Sequence, residues 1–353
     1  MRTALDADAI LDETERLLAV PSVVGYERPL LDHVTALLRA DGVEVRRTLN
    51  LTVATRGNRA APTLSAHVDR HGLVCTGPGT FSYAAHALKD MRGLGTVPTH
   101  NFASTVCNRF ADEQVRAYDP ATGAIVAEGV VEHAAVCNIE HFDVTVPVRG
   151  LDAVKLAMPV AFSARCRRDG DRFAGQLDNA LSAATLIEAF RAGFTGAGYF
   201  TAGEEIGVSW QYLLADLRIV GGAPGGLLVL DTSPYPDHAA VDAGVVVLRG
   251  RDSNGVFDEA LVGRLCTACD TLGAPYEMKD EVIAADNNAR TTRGEPPRSL
   301  GSTELGRLVH ATAGAVNGAT LQLPTSGYHT NSETTSRHAV ANFAAVLSTL
   351  LGG

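Results

Sequence analysis

Two histidines and five carboxylates of this chain stand where apolar runs end. They are His67 and Asp69 after TLSA, Asp178 at the start of a helical pattern, Glu204 and Glu205 after GYFTAG, Asp231 after GLLVL, and His329 shortly after GATLQLP. In an open α/β sheet the crevice beyond the strand carboxyl ends is the usual ligand site, so groups distant in sequence can converge there. Each residue alone carries little. A single His at a strand end is commonly structural, an Asp in the position of Asp178 is commonly a helix N-cap, and a Glu pair is commonly surface charge. Glu204 and Glu205, however, lie between an apolar run and Ile-Gly-Val, where adjacent carboxylates are costly unless cations are near.

Two imidazoles and three carboxylates suffice for a pair of divalent transition metals, because imidazole nitrogen and carboxylate oxygen both suit zinc, cobalt or manganese. A bridging carboxylate can hold two ions ~3.5–4 Å apart, and such a pair lowers the pKa of a shared water and polarises a carbonyl oxygen. A further carboxylate, off the metals, serves as general base and proton shuttle. Adjacent glutamates can divide these duties. Asp69, on the same side of an extended strand as His67, can accept a hydrogen bond from the second imidazole nitrogen and fix its tautomer.

The elements that must position these groups follow from periodicity. Helices are expected at Asp6 to Val20 and Glu27 to Ala40, followed by strands in VEVRRT, LTVATRG and TLSAHVD. From about His71 to Arg167 the texture changes to short β-like runs broken by Gly, Pro and Asp, among them GAIVAEGVV, FDVTVPV and PVAFSARC. After it, βα alternation resumes. Helices are expected at Asn179 to Ala192, Trp210 to Leu217, Asp258 to Leu272, Ser302 to Ala313 and Arg337 to Leu351, with strands in GAGYFTAG, GLLVLD, VVVLRG, near Tyr276 and in GATLQLP. Such alternation implies an α/β fold with a doubly covered, mostly parallel sheet. Residues 1–70 and 168–353 would form the α/β domain, interrupted by a small inserted β-rich domain at 71–167.

Composition narrows the function classes. The 353 residues are 46% hydrophobic and carry a formal net charge of −10, the wrong sign for attraction to nucleic acid or anionic membranes. The amino terminus reads MRTALDADAILDETERLLAV, acidic where a signal peptide would be basic and then apolar, so a cytoplasmic protein is expected. The six cysteines are scattered, which does not suit a disulfide scaffold. Cys266 and Cys269 form a CxxC within an amphipathic helical pattern and read as small helix residues in preference to a redox or zinc pair. His71, His86, His100, His133 and His141, in or at the edge of the insert, read as ordinary surface or loop residues, and Asp237 is a fallback ligand.

The order AHVD, QLDNA, AGEEIG, LDTSPYPD and PTSGYHTNSE resembles the co-catalytic two-metal metallopeptidases, and in particular the glutamyl and tetrahedral (dodecameric) aminopeptidase family. PSVVGYE, GVVVLRGRDSNG and GSTELG are similar to other segments of that family, and the resemblance spans nearly the whole chain. It implies a zinc-peptidase-like core with His67 and Glu205 or Asp231 as terminal ligands, Asp178 as the bridge, His329 completing the second metal, and Glu204 as the base. In the usual division His67 and Asp231 share one ion, and Glu205 and His329 the other. It also implies short peptide substrates and a homo-oligomer, often a tetrahedral dodecamer.

Spacing separates this family from its relatives. His67 and Asp178 are 111 residues apart, which places the extra domain between first ligand and bridge, whereas related carboxypeptidases and deacylases carry it after the fourth ligand. The chain departs from the family in having Arg70 and His71 where an acidic residue is common after His-x-Asp, Asn179 and Ala180 after Asp178, and Ser326, Gly327 and Tyr328 before His329. The expected activity is release of amino-terminal residues from short peptides. An amidase or deacylase using the same metals, and a catalytically silent peptide-binding homologue, are the alternatives.

Overall fold

The computed structural model describes residues 4–57, 62–85, 109–132, 136–138, 143–163 and 166–352. Two sheets organise them. The larger has the strand order Glu44–Arg47, Leu51–Arg56, Gly196–Thr201, Thr63–His67, Leu227–Tyr235, Gly318–Ser326, Glu333–Ser336, Arg172–Gly175 and Arg167–Asp169, with Val246–Leu248 and Tyr276–Met278 branching from Gly318–Ser326. Parallel pairing joins the four central strands and the short pair Val246–Leu248 and Tyr276–Met278. The remaining pairings are antiparallel, so the sheet is mixed.

The reason lies in burial. Thr63–His67, Gly196–Thr201 and Gly318–Ser326 are buried at every position, as parallel strands flanked by packed helices must be. The outer strand Glu44–Arg47 alternates exposed and half-buried residues. Neighbouring residues on the central strands reach different helices. Gly198 sits so close to the helix Ala180–Arg191 that a Cβ there would meet Phe190 at 2.6 Å. Next to it, Tyr199 donates from its hydroxyl to Asp216 on the helix Ser209–Val220, and Ser65 and Thr201 donate to Glu304 on the helix Glu304–Ala311.

The helices Ala7–Ala19 and Arg28–Ala40 form where expected. Asp6 caps the first by accepting from the Asp8 N–H, and Pro29 opens the second. Their buried faces, including Ile10, Leu17, Leu30 and Leu38, join the large apolar core. The helix Glu259–Leu272 carries both Cys266 and Cys269 as free thiols, in keeping with their reading as helix residues. The helix Lys279–Thr292 was not anticipated. Only Lys279, Asp280 and Ile283 of it are buried, so it has no apolar stripe to betray its period.

The smaller sheet runs from Gly72 to Phe162 and is antiparallel throughout. Pairing of Thr80–Tyr83 with Asp143–Arg149 closes six of its strands into a ring, leaving Val136–Asn138 on the outside. Its interior holds a core of its own, in which Phe110 stacks on Phe162 at 3.6 Å. Among the described residues no helix is long and apolar enough to cross a membrane.

Candidate metal centre

The four central parallel strands deliver the site from their carboxyl ends. His67 ends its strand in register with Thr201, and Glu204 and Glu205 occupy the turn that follows Thr201. Asp231 lies within Leu227–Tyr235, opposite Gln322 of the neighbouring strand. His329 stands in the turn after Ser326 with a φ of 56°. Asp178 stands one residue before the N-cap of the helix Ala180–Arg191, across a cis bond to Asn179. It does not act as a cap, contrary to the plain expectation for an Asp at that position. Asn179 holds the N-cap position, and its amide donates to the Leu230 carbonyl instead.

Two triads result. In the first, Nε2 of His67 is 3.2 Å from Oδ1 of Asp178 and 3.6 Å from Oδ1 of Asp231. In the second, Nε2 of His329 is 3.7 Å from Oε1 of Glu205, and Nε2 of His71 is 2.8 Å from Oε2 of Glu205. Asp178 spans them, since its Oδ2 lies 3.5 Å from Nε2 of His329. The donor atoms of His67, Asp178 and Asp231 all lie within 4.8 Å of one another, as do those of His71, Glu205 and His329, close enough for each set to hold one ion. Oδ1 of Asp178, Oε1 of Glu205 and Nε2 of His71 are buried without a hydrogen-bond partner, although buried polar atoms normally find one. Imidazoles and carboxylates orphaned together fit divalent cations.

The surrounding shell is equally specific. Asp69 is fully buried, and its two oxygens accept the backbone N–H groups of Glu204 and Glu205. Its carboxylate is 3.6 Å from Nδ1 of His67, too long for a hydrogen bond, while that nitrogen is 3.3 Å from Asp69's own main-chain oxygen. The expected tautomer-fixing bond from the Asp69 side chain is thus replaced by one near its carbonyl. Glu333, also fully buried, accepts the backbone N–H of Asp178 at 2.8 Å and of His329 at 2.7 Å.

The electrostatics show a cluster of negative charge short of counter-charge. Burial pushes the carboxyl of Glu204 well above the usual range, with Glu205 and Asp231 adding repulsion. Burial likewise raises Glu205, to about 8, and raises Asp231. Burial opposes a charged His67, yet Asp178 and Asp231 hold its imidazolium well above the ordinary value. Asp178 is lowered despite its burial by His329 and His67. His329 is depressed by burial and by His71, and burial lowers His71 itself to about 3, leaving it a neutral imidazole.

The structure corrects the reading of His71 as a surface or loop residue. It is 3% exposed, its ring centroid is 3.8 Å from that of His329, and its Nδ1 bonds the hydroxyl of Tyr83 from the smaller sheet. The available signal was its place two residues after Asp69, directly beside the His-x-Asp segment. Its neighbour Arg70 is structural, bonding the carbonyls of Leu18 and Val20. Arg109 was also missed, and its guanidinium lies 3.5 Å from Nδ1 of His329 and 5.8 Å from the Tyr328 ring centre. Asp237, the fallback ligand, accepts from the Ala239 N–H and belongs to neither triad. His86, His100, His133 and His141 lie outside the described residues.

No family model and no curated protein sequence matches the chain. Solved structures do. An aminopeptidase from the archaeon Desulfurococcus kamchatkensis superposes with a TM-score of 0.70 at 13% identity, covering 98% of this chain and 95% of that one. A TET aminopeptidase from a marine-sediment thaumarchaeon gives 0.70 at 15% identity, covering 97% and 96%. The Pyrococcus horikoshii TET1 peptidase, described as assembling into a tetrahedron or a large octahedral shell, gives 0.67 at 12% identity, covering 97% and 98%. The chain has the fold of the tetrahedral aminopeptidases over almost its entire length.

Proposed function

We propose that the protein is a two-metal aminopeptidase that releases single residues from the amino end of short peptides. The observation that carries this reading is Asp178, whose two oxygens face separate histidine-carboxylate groups. His67, Asp178 and Asp231 would hold one ion, and Asp178, Glu205 and His329 the other. Two divalent ions so held supply Lewis acidity, polarising the scissile carbonyl and lowering the pKa of a shared water.

The chain's own residues do the rest. Glu204 takes the proton released from the attacking water at its carboxylate and passes it to the leaving nitrogen. In the metal-free chain burial raises its proton affinity, the direction that such a shuttle needs. Asp69 fixes the turn that carries Glu204 and Glu205, through two backbone N–H groups.

Zinc suits the donor set, with cobalt and manganese as alternatives. Residues 71–167 are taken as a separate β-rich domain that governs assembly or access. A homo-oligomer, dodecameric as described for one Pyrococcus relative, belongs to the same proposal. So does a cytoplasmic location, in keeping with the free thiols of Cys75, Cys166, Cys266 and Cys269.

The test is hydrolysis of a panel of aminoacyl chromogenic substrates by the metal-reconstituted protein, with N-acetylated counterparts. An aminopeptidase cleaves only the free-amine set. Preference for the acylated set would move the protein to the deacylases, and no cleavage of either by a fully metal-loaded protein would leave a binding role.

A further inference from the structure

The second triad contains an imidazole that the division of ligands above does not use. His71 is 3% exposed, and its Nε2 is fully buried without a hydrogen-bond partner. That nitrogen sits 2.8 Å from Oε2 of Glu205 without the alignment of a hydrogen bond, and its ring lies against that of His329. With the ring proton on Nδ1, toward Tyr83, Nε2 and the carboxylate oxygen both present lone pairs, and two such atoms in a buried site are poorly placed unless a cation lies between them. The other side of the ring is accounted for, because Nδ1 meets the Tyr83 hydroxyl.

We propose that His71 is a further protein donor to the second ion, which makes the two positions of the centre unequal. The inference rests on the two-metal reading. The second position then has two imidazoles and a carboxylate of its own (His71, His329 and Glu205), whereas the first has only His67 and Asp231, Asp178 being shared. Coordination through Nε2 requires the ring proton on Nδ1, where the Tyr83 oxygen accepts it. Tyr83 thereby acts as a positioning residue supplied by the smaller sheet, in the manner of hydrogen-bonded imidazole ligands generally. The richer imidazole content also biases the second position toward zinc or cobalt over manganese or magnesium. It is therefore the position that fills first.

The test uses the full-length protein, stripped of metal and titrated with cobalt(II). In the di-cobalt protein, proton NMR counts the solvent-exchangeable, hyperfine-shifted ring N–H signals, one for each Nε2-bound histidine. Three signals are expected, two of them appearing with the first equivalent. Two signals in a protein that binds two ions would overturn the role of His71 while sparing the two-metal reading. Failure to bind cobalt at all would overturn both.

Calorimetry of His71→Leu provides the second arm. The tighter of the two affinities should fall at least about tenfold, with two ions still bound at saturation. Unchanged affinities in both steps would overturn the proposal. The signal count in the unaltered protein decides the matter if the variant does not fold.

Discussion

Oδ1 of Asp69 accepts the backbone N–H of Glu204 at 3.0 Å, and its second oxygen takes that of Glu205 at 2.8 Å. One buried carboxylate thus sets the turn on which both glutamates stand. In Asp69→Asn one oxygen becomes an amide donor facing an N–H donor, and the turn loses a charge-assisted bond. Turnover should fall about 10- to 100-fold, the usual range for a residue that orients metal ligands. Steady-state kinetics with metal analysis checks this, and an unchanged rate would remove Asp69 from the working parts of the centre.

Glu204→Gln tests the proton shuttle. The amide keeps the shape and cannot carry the proton, so the rate should drop about 10²- to 10⁴-fold. Metal content should stay at the unaltered level. Normal turnover would rule out the assignment.

Glu27, which belongs to neither triad, offers a test of stability. It is 6% exposed, and burial together with the nearby Asp69 raises its carboxyl to about 8. A folded-state pKa above the unfolded value means that the stabilisation is full below the ordinary carboxylate range and is lost as pH rises to about 8. Glu27→Gln should therefore melt at a higher temperature than the unaltered protein at pH 9, with the gap closing at pH 5. Melting curves that run parallel from pH 5 to 9 would contradict this.

Chelation should destabilise the protein in a pH-dependent way. Without cations, Glu205 and Asp231 keep raised proton affinities because of burial, and the charged His67 is favoured by Asp178 and Asp231. All three shifts are upward, so above the ordinary histidine range, where the lowered His71 and His329 no longer add stability with pH, the metal-free protein loses stability as pH climbs toward about 8. Cations binding only the folded state add stability with concentration, about 2.7 kcal/mol at one hundred times Kd. The drop in Tm on adding chelator should accordingly be larger at pH 8.5 than at pH 6.

Gly318 opens the strand Gly318–Ser326 and pairs with Leu227 of the neighbouring parallel strand. A Cβ there would meet the Leu227 carbonyl oxygen at 1.9 Å, an approach that only backbone movement relieves. Gly318→Ala should cost about 1–3 kcal/mol, the usual range for overpacking. Chemical denaturation measures it, and metal content should not change.

The central architecture was legible because buried parallel strands spell continuous apolar runs and because polar residues interrupt them at the strand ends. His67, Asp178, Glu204, Glu205, Asp231 and His329 were readable from that interruption and from the order of their motifs. His71 was not, since a lone histidine in a glycine-rich stretch has many ordinary uses and only the fold shows its Nε2 beside Glu205. The exact use of Asp69 was hidden for a related reason. Its partners are main-chain N–H groups, which every residue possesses and no sequence pattern marks. The helix Lys279–Thr292 escaped because it buries so little of itself.

Glu333 ties two remote points of the chain to one side chain, through the N–H groups of Asp178 and His329. Neither amide can be released while that carboxylate stays in place between them. In deuterated solvent the two protons should consequently report one common opening free energy once their own intrinsic exchange rates are divided out, that of a single event that frees both sides of the crevice together. The centre is in this sense a clasp with one pin, and the pin lies outside both triads.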